Sequence, residues 1–176
     1  MAQEGTSEGF RKLRDALMTH KFKSGDDRVP VAIELVPGLY IGSYGAATNL
    51  DALTRARVTH IVCVSPSLPL AFPHTFTYLQ LAVVDQSGVQ ISDVFDQACD
   101  FIHTALAAGG HVLVHCFLGR SRSATIVLAY LISRHNVPLD RALAHLRRVR
   151  PQVAPNRGFW TQLQALDAHH FQRFNT

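Results

Sequence analysis

The sequence predicts an α/β fold, built as one domain around a central sheet. Three observations carry this. Strand-like β-branched runs alternate with helical patterns along the chain. Neither an internal repeat nor a low-complexity tract interrupts the alternation. In the stretch 109–130, GGHVLVHCFLGRSRSATIVLAY, a glycine pair leads into a short buried strand (Val112, Leu113, Val114) and then a tight turn. The apolar run from Ala124 to Ile132 follows, long enough and free enough of breakers to read as a buried helix.

The elements follow in order. Residues 1–9 are small and mostly polar, and Phe10, Leu13, Leu17 and Met18 then recur at helical spacing. They predict an amphipathic helix that packs on the domain surface or docks a substrate or partner. KFKSGDDR (21–28) reads as a charged, turn-rich connector. The expected division is a tail with its helix over 1–29 and a folded domain over 30–172. Val31 to Leu35 and Leu39 to Ile41 predict two strands around the turn dipeptide Pro37-Gly38. Asn49 reads as the cap of a helix from Leu50 to Arg57, with Leu50 and Leu53 facing in. Val58 to Val64 is a buried strand in which Cys63 serves as a small core residue. Three prolines make Ser65 to His74 a loop, and Thr77 to Val84 is the next strand, ending at Asp85. Ser92 caps an amphipathic helix to Ala107 that packs Cys99. Pro138 opens a helix, Leu139 to Arg150, with Leu139, Leu143 and Leu146 on one face. Pro151 to Pro155 breaks the chain, and Asn156 caps a last helix carrying Phe159, Trp160, Leu163 and Leu166.

Composition narrows the partners. A chain of 176 residues that is 47% hydrophobic suits one domain with a real core. The net charge of +4 mildly favours anionic partners, but Lys and Arg are spread rather than blocked, so nucleic acid is not an expected partner. Three cysteines without a C-x-x-C pair are no disulfide framework and fit a reducing compartment. The polar first residues lack the apolar core of a secretory signal, and the run from Ala124 to Ile132 is too short to span a bilayer. Ala2 in place of glycine excludes N-myristoylation, and the terminal FNT has no prenylation cysteine. A soluble cytoplasmic protein, also able to enter the nucleus, with no membrane partner, is the expectation.

The turn between strand and helix carries the chemistry. Backbone N–H groups at the start of a helix have no internal partner and form an anion cradle. The helix N-terminus adds roughly half a positive charge. Arg122 adds a planar fork that can grip two phosphate oxygens. A cysteine over such a cradle is expected to ionise well below its free value of about 8.5. Cys116 is then a nucleophile facing a bound phosphate.

At these residues the chain resembles a known family. Cys116 to Arg122 fits the C-x5-R signature of cysteine-dependent phosphatases, and HCFLGRSRS (115–123) fits the HCxxGxSRS version of dual-specificity protein phosphatases. ELVPGLYIGS, ATIVLAYLI and RPQVAPNRGFWTQL resemble the family's opening strands, post-signature helix and closing helix. The resemblance spans roughly residues 30 to 170. It implies a mostly parallel, twisted sheet of about five strands flanked by helices, with the site at the C-terminal sheet edge. It also implies a small atypical member without a kinase-docking module, with 30–172 as its catalytic domain.

The resemblance assigns roles. Cys116 forms a phosphocysteine intermediate, and Arg122 binds the phosphoryl oxygens with the N–H groups of Phe117, Leu118, Gly119, Arg120, Ser121 and Arg122. Gly119 supplies a turn conformation or a close backbone approach. Arg120 is a rim cation or an ordinary solvated arginine. The family's general acid is an aspartate about thirty residues before the cysteine, and Asp85, 31 positions before Cys116, matches it. Ser123 can donate to the Cys116 sulfur, though Ser121 can instead donate within the loop. His115 orders the cysteine and is no proton donor. Asn156 links the closing segment to the site, or only caps its helix. No metal-ligand spacing occurs among the histidines, and the chemistry requires neither metal nor cofactor.

The expected activity is hydrolysis of phosphotyrosine and phosphoserine/threonine in a phosphorylated protein, a protein kinase being one candidate substrate. Two alternatives stand beside it. One is the same chemistry on a phosphoinositide, an RNA 5′-phosphate or a sugar phosphate. The other is a weakly active phosphate-binding scaffold, against which intact Cys116, Arg122 and Asp85 argue.

Overall fold

Five short strands, β1 (Val31–Ala32), β2 (Leu39–Gly42), β3 (His60–Val64), β4 (Thr77–Leu81) and β5 (Val112–His115), make one sheet in the order β1-β2-β5-β3-β4. The computed structural model describes residues 25–172; the helix expected over Phe10 to Met18 lies outside them. β1 runs antiparallel to β2, and every other neighbouring pair is parallel. Six helices accompany the strands among the described residues: α1 (Tyr44–Ala47), α2 (Leu50–Arg55), α3 (Phe95–Ala107), α4 (Arg122–His135), α5 (Leu139–Val149) and α6 (Arg157–Gln172). None of the described helices is long and apolar enough to cross a membrane.

Strand alternation sorts the core into two faces. Val112 and Val114 of β5 join Val62, Val64 and Ile41 in the larger cluster beneath α3 to α6. Leu113 and Ile61 point the other way, onto Ala47, Leu53 and Val58 beside α1 and α2. α4 lies among α3, α5 and α6, and every residue from Ser123 to Ile132 is buried. A helix apolar all round belongs inside a domain, and each large aliphatic side chain so buried contributes about 1.5–3 kcal/mol. The start of α4 is therefore firmly anchored, with only the turn 116–121 between it and the middle strand.

Several boundaries differ from expectation, each for a local reason. The first strand stops at Ala32 because the chain already turns: the Val36 N–H donates to the Ile33 carbonyl and the Leu39 N–H to that of Val36. Leu50 is 42% exposed, since it stands at the very start of α2, while Ala52 and Leu53 turn inward. α2 ends at Arg55 because Arg57 adopts φ +55, and the Val58 N–H closes back on the Leu53 carbonyl. β3 begins only at His60. β4 is an edge strand that ends at Leu81, where the Val83 N–H bonds the Leu81 carbonyl, so Val84 is exposed and Asp85 lies on a loop beyond the strand. Ser92 caps nothing; it sits in a 3-10 turn (Ile91–Val94) and α3 starts at Phe95. Pro138 is the cap residue before α5 rather than its first residue, and α5 stops at Val149.

Candidate active site

Cys116 is the residue directly after β5, so the middle strand fixes its place. Its side chain is buried, with Sγ 3.3 Å from the hydroxyl of Ser123 in the first turn of α4. Between them the chain turns sharply, and the carbonyls of that turn are all held outward. Phe117 O accepts from the Tyr44 N–H, and Arg120 O from the Ala154 N–H. Leu118 O and Gly119 O accept from the guanidinium of Arg150 at 3.0 and 2.8 Å. Ser121 O accepts from both the N–H and the hydroxyl of Thr125. In a trans peptide plane the carbonyl and the next N–H point opposite ways. The N–H groups of Leu118 to Arg122 thereby point away from those carbonyls' partners, and no protein acceptor takes them among the described residues.

Gly119 is required here twice over. Its φ is +65, and a Cβ would stand 2.5 Å from the Gly42 carbonyl oxygen. Both of the roles expected of it, turn conformation and close approach, are present.

Arg122, the first residue of α4, is largely buried. Its Nη1 donates to the Val83 carbonyl at 3.3 Å, and its Nε makes no hydrogen bond within the protein. That Nε lies 3.8 Å from Asp85 Oδ2. The other carboxylate oxygen, Oδ1, accepts from the Ser121 hydroxyl and from Asn156 Nδ2, each at 2.8 Å. Asn156 also donates its backbone N–H to Ser121 Oγ at 3.1 Å and caps α6 by accepting from the Phe159 N–H at 2.9 Å. Asn156 thus joins Asp85 and Ser121 to the start of α6 and caps that helix, and the serine beside the sulfur is Ser123 while Ser121 faces Asp85.

Behind the sulfur, the His115 ring is buried, with Nδ1 3.4 Å from the Cys116 carbonyl. Burial pushes its pKa down from 6.5 to about 4, with Arg122 adding to the effect and the Cys116 carbonyl opposing it. At neutral pH the ring is neutral, and it lies against the Tyr44 ring. Arg120 is exposed at the rim, its Nε donating to the Gln152 carbonyl. Phe117 and Leu118 are half-buried, and Phe117 packs with Leu70 on Tyr44, Cys63 and Leu68. Cys63 pairs with His115 across the sheet and is buried. Burial, reinforced by nearby Cys116, pushes its thiol up to about 12. Burial does the same for Cys99. Among the described residues no three His, Cys, Asp or Glu side chains converge to hold a metal ion.

Sequence reasoning missed Arg150. It is 2% exposed, ion-paired at 3.2 Å with Asp27, and burial lowers its pKa while Asp27 raises it. Asp27 is in turn held by the Ser43 hydroxyl, which donates to its carbonyl at 2.6 Å. A signal was present: Arg150 extends the Leu139–Leu143–Leu146 stripe by one turn, and a cation on a buried face needs a partner.

The family model describing the dual specificity phosphatase catalytic domain matches residues 39–168. The chain belongs to this family. It is similar to dual specificity protein phosphatase 1 of Arabidopsis thaliana, 48% identical over 142 residues that cover 81% of this chain and 71% of that protein. Among solved structures it is similar to human DUSP28, with a TM-score of 0.76 at 34% identity, covering 80% of this chain and 93% of that one. It also resembles the human tyrosine phosphatase-like serine/threonine/tyrosine-interacting protein, with a TM-score of 0.76 at 33% identity, covering 82% and 99% of the two chains. The protein is a phosphatase of the small atypical dual-specificity class, within the cysteine-dependent superfamily, and phosphorylated proteins are its substrates.

In this phosphatase Cys116, Arg122, Asp85 and Ser123 meet at one loop although two chain segments supply them. His115 backs the loop and Asn156 holds the carboxylate from a third segment. Arg120 is tied away from this site, to the segment after α5.

Proposed function

We propose that this phosphatase hydrolyses phosphotyrosine and phosphoserine/threonine through a phosphocysteine intermediate on Cys116. One observation carries the reading. Cys116 Sγ lies beneath a loop whose carbonyls all turn outward, with Arg122 on one side and Asp85 across the mouth.

In the first step Sγ bonds to phosphorus while the ester bond breaks, and Asp85 gives its carboxyl proton to the departing oxygen. The Leu118 to Arg122 amides and the Arg122 guanidinium are already aimed at the equatorial oxygens, so the developing charge meets fixed dipoles. Arg122 is braced by the Val83 carbonyl, which leaves its unbonded Nε to serve the phosphoryl group. In the second step Asp85 takes a proton from water, whose oxygen bonds phosphorus as the sulfur–phosphorus bond breaks. The electron pair returns to Sγ, where the Ser123 hydroxyl, 3.3 Å away, donates to it. Phosphate leaves with Asp85 protonated for the next cycle. Neither step calls for a metal or cofactor.

Our reading places the enzyme in a reducing compartment, cytoplasmic or nuclear, acting on phosphoproteins that include protein kinases, away from membranes and nucleic acid. The free thiols of Cys63, Cys99 and Cys116 support that compartment. Residues 30–172 are the catalytic domain in this reading, and 1–29 a tail that joins it through Asp27, the partner of Arg150.

The test is turnover of phosphopeptides, a phosphoinositide and an RNA 5′-phosphate compared in excess chelator. Phosphotyrosyl and phosphothreonyl peptides should be the better substrates, and a Cys116→Ser/Asp85→Ala protein should retain phosphoproteins. A higher kcat/KM on the lipid or RNA would overturn the substrate class.

A further inference from the structure

The loop that carries Asp85 is gripped along its length by the first turns of α6 and the residue that caps it. At its start, Asn156 Nδ2 donates to Asp85 Oδ1. Next, a Cβ at Gly158 would stand 1.8 Å from the Ser87 carbonyl oxygen and 2.6 Å from its carbon, so only glycine lets the loop backbone come this close. One turn further, Gln162 Nε2 donates to the Val89 carbonyl at 2.9 Å, and its Oε1 accepts from the Ser92 N–H at 2.9 Å. Three positions, the cap residue Asn156 and then Gly158 and Gln162 one turn apart in α6, thus meet loop residues from Asp85 to Ser92.

We propose that Asn156, Gly158 and Gln162 are positioning residues that seat the acid loop and select the oxygen through which Asp85 moves its proton. The proposal rests on the reading of Asp85 as general acid. Asp85 Oδ1 already accepts two hydrogen bonds, from Ser121 and Asn156. A proton placed there would displace a donor. The transferable proton therefore rides on Oδ2, the oxygen beside Arg122 Nε and the phosphoryl site. Withdrawing the seat would let the carboxyl swing and lose both its place and its oxygen selection.

A leaving-group series of aryl phosphates tests this in the full chain. Loss of general acid catalysis costs about 10²–10⁴ for poor leaving groups and far less for good ones. Gly158→Ala and Gln162→Ala should lose activity in the same graded way as Asp85→Asn, greatest on phenyl phosphate and least on 4-nitrophenyl phosphate. Their inhibition constants for vanadate should match the wild type. On an Asp85→Asn background neither substitution should cost anything further, because residues that act through one group do not add. Uniform loss across the series, an altered vanadate constant or full additivity with Asp85→Asn would overturn the seat. If Gly158→Ala does not fold, Gln162→Ala, which introduces no clash, decides the matter. An Asp85→Asn enzyme with no leaving-group dependence would instead overturn the underlying assignment of Asp85.

Discussion

Arg150 Nε donates to the Gly119 carbonyl at 2.8 Å across 31 residues of chain, and the same guanidinium reaches Leu118 O at 3.0 Å. One buried cation at the end of α5 thus sets the orientation of two peptide planes in the loop after Cys116. Its charge is balanced from yet another segment by Asp27, itself tied down through Ser43.

Replacing Arg150 should loosen the cradle as well as the fold. Arg150→Met strands two carbonyls whose unmade bonds cost about 1–3 kcal/mol each. Unfolding free energy should fall by a few kcal/mol, and the vanadate inhibition constant should rise by at least about tenfold. Denaturant unfolding and competitive inhibition measure the two effects. Lower stability with an unchanged vanadate constant would limit Arg150 to a packing role.

Ser123 addresses the second chemical step. A hydrogen bond to a charged sulfur is worth about 1.5–3 kcal/mol, so Ser123→Ala should slow release of phosphate from Cys116 by about 10- to 100-fold. Phosphoenzyme should then accumulate, giving a burst of 4-nitrophenol in rapid-quench experiments. A slow enzyme without a burst would mean that Ser123 serves the first step instead.

The part of the site that was legible in the sequence is the part that is local. Cys116, Gly119, Arg122 and Ser123 lie within one strand–turn–helix, where backbone geometry follows from adjacent residues. Asp85 was reached only through family resemblance, since nothing in VVDQSG marks a proton donor. The Ser121–Asp85 bond and the Gly158–Ser87 approach are products of packing between distant segments, for which the chain carries no local cue, and Arg150 shows in the sequence only as a cation continuing the apolar stripe of α5. The same division holds for the fold. The alternation of strands and helices was readable, as was the buried helix after Cys116. Leu50 was misplaced because hydrophobicity does not say that a residue sits at a helix end, and Arg57 because an arginine took the left-handed closing position that glycine usually marks.

His115 predicts a pH dependence of stability. Burial holds its folded pKa near 4, below the ordinary 6.5. Between those values the unfolded chain takes up a proton that the folded protein refuses. The contribution is thus complete above about 6.5 and is lost as pH falls toward 4. His60, His135 and His145, also lowered by burial, act in the same direction. Unfolding free energy should decline across that window, less steeply in His115→Asn, and the His115 ring should show no NMR titration between pH 8 and 5.5. Titration near pH 6.5 would contradict a buried neutral ring.

The sulfur of Cys116 as the atom that receives phosphate is tested most directly by acid-quenching the enzyme during turnover of 4-nitrophenyl phosphate in chelator and mapping the adduct by mass spectrometry. A phosphoryl group on Cys116 alone, together with loss of turnover in Cys116→Ser, is the expected result. Phosphate on another residue, or undiminished turnover by Cys116→Ser, would contradict it.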